Sequence, residues 1–286
     1  MNDNTQLLSA MIRAARAAGG RIMHYFRPGA EVSAAAEITQ KSHDHPLTRA
    51  DTEANEVIQQ TLMSETPDYG WLSEETIDSV DRLAKKRIWI VDPLDGTKEF
   101  IRGVPEFAVS IALVEDGLPI LACLFNPAKD ELFTAIAGKG SRKNDMPIQT
   151  TRTTHLAGAA CLASRSETER GDWASFKDEF ALRTTGSIAY KLSLLAEGRA
   201  DLTFTLTPKN EWDIAAGDLL VREAHGQVTD KDGARLVFNQ TLPRLSAVLA
   251  TNGQLHPALL RRLMAMPLNR DRCRNPDVTP CQPDGK

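Results

Sequence analysis

The segment Asp92-Pro93-Leu94-Asp95-Gly96-Thr97 closes the apolar run Trp89-Ile90-Val91 with two carboxylates that flank a proline and a leucine. Hard divalent cations such as magnesium choose oxygen ligands in near-octahedral geometry, which carboxylates, a backbone carbonyl and waters supply together. Asp92 and Asp95 can converge on one point across such a turn, and Pro93 fixes the backbone so that the Leu94 carbonyl can face the same ion. Gly96 permits close approach of a ligand. If Thr97 opens a helix, the Gly96 and Thr97 amides meet a phosphate at a helix start. Two more acidic sites fit this chemistry. Glu74-Glu75 ends the apolar element Trp71-Leu72-Ser73, and Asp213 precedes the apolar helix start Ile214-Ala215-Ala216, where a half-buried carboxylate needs a partner. Together they point to hydrolysis of a phosphate ester assisted by divalent cations.

Each feature also has a plainer reading. Asp-Gly pairs make turns, Asp213 can cap a helix, a Glu-Glu pair is commonly solvated surface, and Asp51 in Thr48-Arg49-Ala50-Asp51 is favourable in a first helical turn without any catalytic role. The joint occurrence of the set favours the chemical reading. Lys41 and His43-Asp44-His45 read as a polar surface loop, and neither the histidines nor the cysteines make a zinc pattern. The chain has no G-x-S-x-G, Walker-type loop or G-x-G-x-x-G, which argues against serine hydrolase, P-loop and Rossmann chemistry.

The elements that must position these residues follow from periodicity. Leu7, Leu8, Met11, Ile12, Ala15, Ile22 and Phe26 predict a first amphipathic helix ended by Pro28-Gly29, and a second follows the cap Thr48, with Ala54, Val57, Ile58 and Leu62 on its buried stripe. Residues 87–91 read as a strand running into the acidic turn. Strands over 107–114, 118–125 and 131–135, separated by Glu115-Asp116-Gly117 and Asn126-Pro127-Ala128-Lys129-Asp130, read as a meander covered by helices. Beyond residue 150 the elements alternate: a strand over 159–163, helices over 173–180 and 187–197, a strand over 200–206, and a helix over 212–225 stopped by Gly226. The expected organisation is an α+β half over 1–150, an α/β half over 151–268 and a frayed, Pro- and Arg-rich tail over 269–286.

With 286 residues and 42% hydrophobic composition the chain can bury a substantial core. A net charge of -4 leaves no basic field, which argues against nucleic acid as the main partner and leaves local groups to attract a phosphate. Cys123, Cys161, Cys273 and Cys281 form no C-x-x-C pair, favouring a reducing, cytoplasmic location, and no apolar run is long enough to cross a membrane.

Taken with their order and spacing, Leu72-Ser73-Glu74-Glu75, Trp89 to Phe100 and Trp212-Asp213-Ile214-Ala215-Ala216-Gly217 resemble the magnesium-dependent, lithium-sensitive phosphatase superfamily of inositol monophosphatases, fructose bisphosphatases and bisphosphate nucleotidases. The resemblance spans about residues 5 to 265. Lys98-Glu99-Phe100 after Asp-Gly-Thr looks most like the CysQ-type 3′(2′),5′-bisphosphate nucleotidases, as do Gly186-Ser187 and Lys191, although Ile188 and the Pro208-Lys209-Asn210-Glu211 loop depart from them. Inositol monophosphatases tend to carry a glutamate seven residues before the last metal aspartate, where this chain has Leu206. The resemblance implies a layered αβαβα sandwich. It implies two or three Mg2+ ions on Glu74, Asp92, the Leu94 carbonyl, Asp95 and Asp213, and a water activated by Asp51 or Glu74 through Thr97, the base being left open. Substrate contacts are implied for Glu74, Leu94, Asp95, Gly96, Thr97, Ser187, Lys191 and Asp213. The implied substrate is adenosine 3′,5′-bisphosphate, cleaved at its 3′-phosphate, with 3′-phosphoadenylyl sulfate beside it. An inositol or sugar monophosphate is the alternative, and a non-catalytic nucleotide-binding protein the third reading. A homodimer is common among such proteins, and inner-membrane association occurs in some, without a lipid signal here.

Overall fold

The computed structural model describes residues 3–42, 45–205 and 207–264; Leu206, the segment from residue 265 onward, and the side chains of Lys41 and the His43-Asp44-His45 cluster lie outside the described residues. Helix α1 (Asp3–Tyr25) buries Leu7, Met11, Ala14, Ala15, Ala18 and Ile22, while Leu8 and Ile12, like Val57 in the second predicted stripe, sit at the flank of the buried face and are only partly covered. A short hairpin, β1 (Thr39–Ser42) and β2 (His45–Leu47), leads into α2 (Arg49–Glu65), which starts after Thr48 as expected.

The first sheet contains β3 (Gly70–Ser73), β4 (Arg87–Asp95), β5 (Ala108–Glu115), β6 (Leu118–Asn126), β7 (Glu131–Ile136), β8 (Ser141–Lys143) and β9 (Met146–Ile148) in that spatial order. In this sheet β3 and β4 pair parallel and the other pairs are antiparallel: the predicted meander of β5, β6 and β7, extended by the unpredicted β8 and β9. Asp116 and Gly117 both have positive φ, 50° and 80°, the backbone that a tight β5–β6 connection needs. The strand predicted over 87–91 instead continues to Asp95, because Asp92 pairs with Ser110 and, past an irregularity, Asp95 pairs with Ala108. Pro93 falls inside that irregularity, where a missing N–H costs the ladder nothing. A five-residue helix, α3 (Thr97–Ile101), follows at once.

The second sheet orders β11 (Ala181–Thr185), β10 (Ala160–Ser164), β12 (Leu202–Phe204), β16 (Leu249–Thr251) and β14 (Gln227–Thr229). It carries α4 (Arg165–Glu169), α5 (Ile188–Ala196), α6 (Glu211–Glu223) and α7 (His256–Met264), and a two-stranded ribbon, β13 (Lys209–Asn210) with β15 (Arg244–Leu245), lies at the start of α6. The helix predicted over 173–180 is a 3-10 turn, Ala174–Phe176; Trp173, Phe176 and Phe180 instead pack on Phe204, Leu249, Leu255 and Leu259 as an outer plug of this sheet. Helix α6 ends at Glu223 rather than at His225. His225, with φ 69°, takes the left-handed position assigned to Gly226. Gly226 serves close approach, since a Cβ there would meet the Thr251 carbonyl oxygen at 2.6 Å.

The alternation of strand side chains stacks these elements into layers. Trp89, Val91, Val109, Ile111, Leu121 and Cys123 face α1 and α2, while Ile88, Ile90, Ala112, Ala122 and Leu124 share a core with α5, α6, Val228 and Ala250. Cys161, Leu202 and Leu249 face outward toward α7 and the aromatic plug. The result is the expected αβαβα sandwich.

A candidate metal and phosphate site

Parallel pairing of β3 with β4 fixes the first two carboxylates: the Glu74 N–H donates to the Val91 carbonyl at 3.3 Å, setting Glu74 beside Asp92. Asp92 is 1% exposed, and its Oδ1 accepts the Leu94 N–H at 2.9 Å. Asp213 is the third residue of α6, whose cap is Asn210; Asp213 Oδ2 accepts the Asn210 N–H at 3.0 Å. Asp213 is thus not itself the helix cap that its plainer reading makes it: Asn210 takes that place, and Asp213, at the third helical position, closes the capping box with one oxygen. One carboxylate oxygen from each of Glu74, Asp92 and Asp213 lies within 4.8 Å of the others.

Asp95 is placed differently. Its Oδ2 accepts the Ser187 hydroxyl at 2.6 Å and the Ala189 N–H at 2.7 Å, so the second sheet's α5 start holds it, and it stands outside the three-carboxylate cluster. Burial raises its pKa against those bonds. Burial first, then the charges of Glu74, Asp95 and Asp213, pushes Asp92 well above the ordinary carboxylate range; burial, Asp95 and Glu74 do the same to Asp213. Buried oxygens converging with like charge make a poor arrangement for the bare protein and a good one for a hard cation, so the donor set fits magnesium.

Asp51 and Thr97 are brought together. The Thr97 hydroxyl lies 3.1 Å from both Asp51 Oδ1 and the Leu94 carbonyl oxygen. Asp51 Oδ2 accepts the Thr48 N–H at 2.8 Å and the Thr48 hydroxyl at 2.5 Å, and burial pushes the acid up to about 7. One side chain thus closes the α2 cap with one oxygen and meets Thr97 with the other. Gly96 caps α3 at φ 99°, and a Cβ there would meet the Glu106 carbonyl oxygen at 2.9 Å.

These groups floor a cavity of ≈670 Å³ lined by Glu74, Asp92, Leu94, Asp95, Gly96, Thr97 and Asp213 together with Ser187 and Lys191; Asp51 lies behind Thr97 and does not line it. Lys191, 2% exposed, is pushed down to about 8 by burial, against the charges of Glu167 and Asp95. Ser187 caps α5 with a positive φ of 53°, its hydroxyl accepting the Tyr190 N–H at 3.0 Å. Sequence reasoning did not single out Ser164, Ser166, Arg170 or Lys209, which line the wider part of the same cavity. Lys209, four residues before Asp213, was the only one with a signal, its loop being one that departs from the nucleotidase pattern.

Among the described residues no helix is long and apolar enough to cross a membrane. The inositol-1-monophosphatase of Mesorhizobium japonicum is 35% identical over 263 residues, 89% of this chain and 95% of that protein. The Nus factor SuhB of Xylella fastidiosa is 38% identical over 236 residues, 79% of this chain and 82% of that one. Among solved structures, CysQ from Bacteroides thetaiotaomicron, a bacterial member of the inositol monophosphatase family, superimposes with a TM-score of 0.70 at 29% identity, covering 88% of this chain and 98% of that one. A sequence profile built for the same family matches residues 3–266, and the chain belongs to the inositol monophosphatase family of phosphatases.

Proposed function

We propose that the protein hydrolyses the monophosphate ester of a small polyhydroxylated molecule, an inositol or sugar monophosphate. The observation that carries the reading is the convergence of Glu74, Asp92 and Asp213 oxygens within 4.8 Å at the floor of the cavity. Glu74, Asp92, the Leu94 carbonyl, Asp95 and Asp213 hold the divalent cations, as suits a family that is generally Mg2+-dependent. Bound there, the cations neutralise phosphate charge and acidify a water. With the Thr97 hydroxyl bonded to Asp51, this pair would orient the attacking water and take up its proton, and the Gly96 and Thr97 amides at the cavity wall would meet the phosphate. The inositol or sugar substrate, which the sequence ranks second, gains support from the 35% identity to inositol-1-monophosphatase across 95% of that protein.

A bisphosphate nucleotide is the second reading, favoured by one specific observation: Lys191 and Lys209 line the cavity beyond the acidic cluster, where a second phosphate finds cations. Phosphate release from inositol 1-phosphate, a hexose phosphate and adenosine 3′,5′-bisphosphate, each with Mg2+ and with added Li+, decides between them. The expected order puts the inositol or sugar phosphate ahead, with every rate lost when Mg2+ is withheld. A tenfold or greater preference for the bisphosphate overturns the substrate reading.

Ser187 offers a test of the Asp95 anchor. Ser187→Ala removes the α5 cap and the bond to Asp95 Oδ2. Expected are a loss of about 1 kcal/mol in metal-free stability by chemical unfolding, and a Mg2+ requirement raised about tenfold, the low end for groups that orient metal ligands. An unchanged Mg2+ requirement would remove Asp95 from the ligand set.

A further inference from the structure

Outside the cavity, a buried polar chain joins the segment after Glu74 to the start of the helix that carries Asp213. Arg82, 3% exposed, lies on the 3-10 turn Val80–Ala84 between β3 and β4. Its guanidinium donates to both oxygens of Asp78 at 2.6 and 2.9 Å, to Asn239 Oδ1 at 2.6 Å and to the Gln240 carbonyl at 3.0 Å. The Asn239 amide returns a bond to the Arg82 carbonyl at 3.2 Å. From the other side Glu211, fully buried at the first position of α6, accepts the Asn239 N–H at 2.6 Å and the Gln240 N–H at 2.9 Å, one on each oxygen. Two buried side chains thus grip the same dipeptide from opposite sides, and neither lines the cavity.

Burying Arg82, with its one bonded carboxylate Asp78 nearer the surface, and Glu211, bonded here to backbone N–H groups, costs desolvation that an apolar plug would avoid. Directional bonds give something an apolar plug cannot: a fixed distance. Asp213 follows Glu211 by less than one helical turn; Glu74 directly follows the last residue of β3 and Asp92 sits on β4, the two strands that flank the Arg82 turn. A hard cation tolerates little error in ligand placement.

We infer that Arg82 and Glu211, joined through Asn239 and Gln240, are positioning residues that hold Asp213 in register with Glu74 and Asp92 for metal binding. The inference rests on the metal reading given above. Glu211→Gln turns one acceptor into a donor facing a backbone N–H, and Arg82→Lys replaces the planar fork by a single point that cannot serve Asp78, Asn239 and Gln240 together.

The test is calorimetric titration of the full, substrate-free chain with Mn2+, beside thermal unfolding of the metal-free protein. Both variants are expected to bind Mn2+ at least tenfold more weakly. Ile58→Val, a buried change in α2 that loosens the core elsewhere, should keep wild-type affinity. If Glu211→Gln does not fold, Arg82→Lys carries the test alone. Variants that bind within twofold of wild type, or an equal loss in Ile58→Val, overturn the positioning role and leave the metal reading standing. A wild-type chain that takes up no Mn2+ overturns the metal reading itself.

Discussion

Asp92→Asn is expected to abolish turnover and, in the metal-free protein at neutral pH, to raise stability. The asparagine Oδ1 can accept the Leu94 N–H as Asp92 Oδ1 does at 2.9 Å, so the backbone after β4 keeps its shape. The lost property is charge. Burial and the neighbouring Glu74, Asp95 and Asp213 raise the Asp92 pKa well above its ordinary value of 3.8 in the fold. A folded pKa above the unfolded one means that the native state binds the extra proton, so this group's stabilising contribution is complete below about pH 4 and is lost as pH rises. At pH 7 an uncompensated Asp92 therefore weakens the fold, and asparagine removes the penalty. We expect the metal-free melting temperature at pH 7 to rise by about 3 °C, corresponding to about 1 kcal/mol, and the difference from wild type to vanish near pH 4. Mg2+ should stabilise the wild type but not the variant. Phosphate release should fall about 10³-fold or more, the loss of about 4 kcal/mol of transition-state charge stabilisation. A variant that turns over within tenfold of wild type, or melts lower than wild type without metal, removes Asp92 from the centre of the site.

Glu74, Asp92 and Asp95 stand out in the sequence because they close apolar elements and Asp213 because it opens one, and the strand that delivers Asp92 declares itself through Ile88, Trp89, Ile90 and Val91. The cap at Thr48 and the turn at Asp116-Gly117 were legible for local reasons of the same kind. What escaped depends on partners distant in sequence. Nothing near Asp95 announces that Ser187 and Ala189 occupy one of its oxygens, and the continuation of β4 past Pro93 needs Ala108 on β5. Trp173, Phe176 and Phe180 have helical spacing yet fill a sheet face, a tertiary demand that overrides local period. The polar run over 164–170 that lines the cavity has no apolar rhythm at all. The residues that tilted the substrate toward a nucleotide change meaning in three dimensions. Glu99 lies 3.5 Å from Arg165 Nε, and a Cβ on Gly186 would meet its Cδ at 2.3 Å. Glu99 and Gly186 are thus matched to each other by packing, which accounts for their pairing without reference to a base or a second phosphate.

Asp51→Asn is expected to lower phosphate release by 10² to 10⁴-fold, the usual cost of removing a positioned proton acceptor, while leaving Mn2+ affinity within about threefold of wild type. The separation of effects follows from geometry: neither Asp51 oxygen belongs to the Glu74, Asp92 and Asp213 cluster, and the nearest chemistry it touches is the Thr97 hydroxyl at 3.1 Å. The asparagine oxygen can keep the Thr48 N–H, so α2 retains its cap, but the amide then presents a donor to Thr97 and the hydroxyl loses its acceptor. Burial holds the wild-type acid at about 7. A base must be ionised to work, so the wild-type rate should rise with pH on an acid limb whose midpoint lies near or below 7, lower with cations bound, and this limb should disappear in the variant. Thr97→Val keeps the shape of the α3 start and removes only the hydroxyl; its loss should match that of Asp51→Asn, and the double variant should lose little more, because two groups that act as one unit do not add. Glu74 makes the opposite prediction, since its oxygen lies in the cluster: Glu74→Gln should weaken Mn2+ binding together with the rate. If Asp51→Asn retains both its rate and its acid limb while Glu74→Gln loses the limb, proton acceptance belongs to Glu74 and Asp51 is left with its place in the α2 cap.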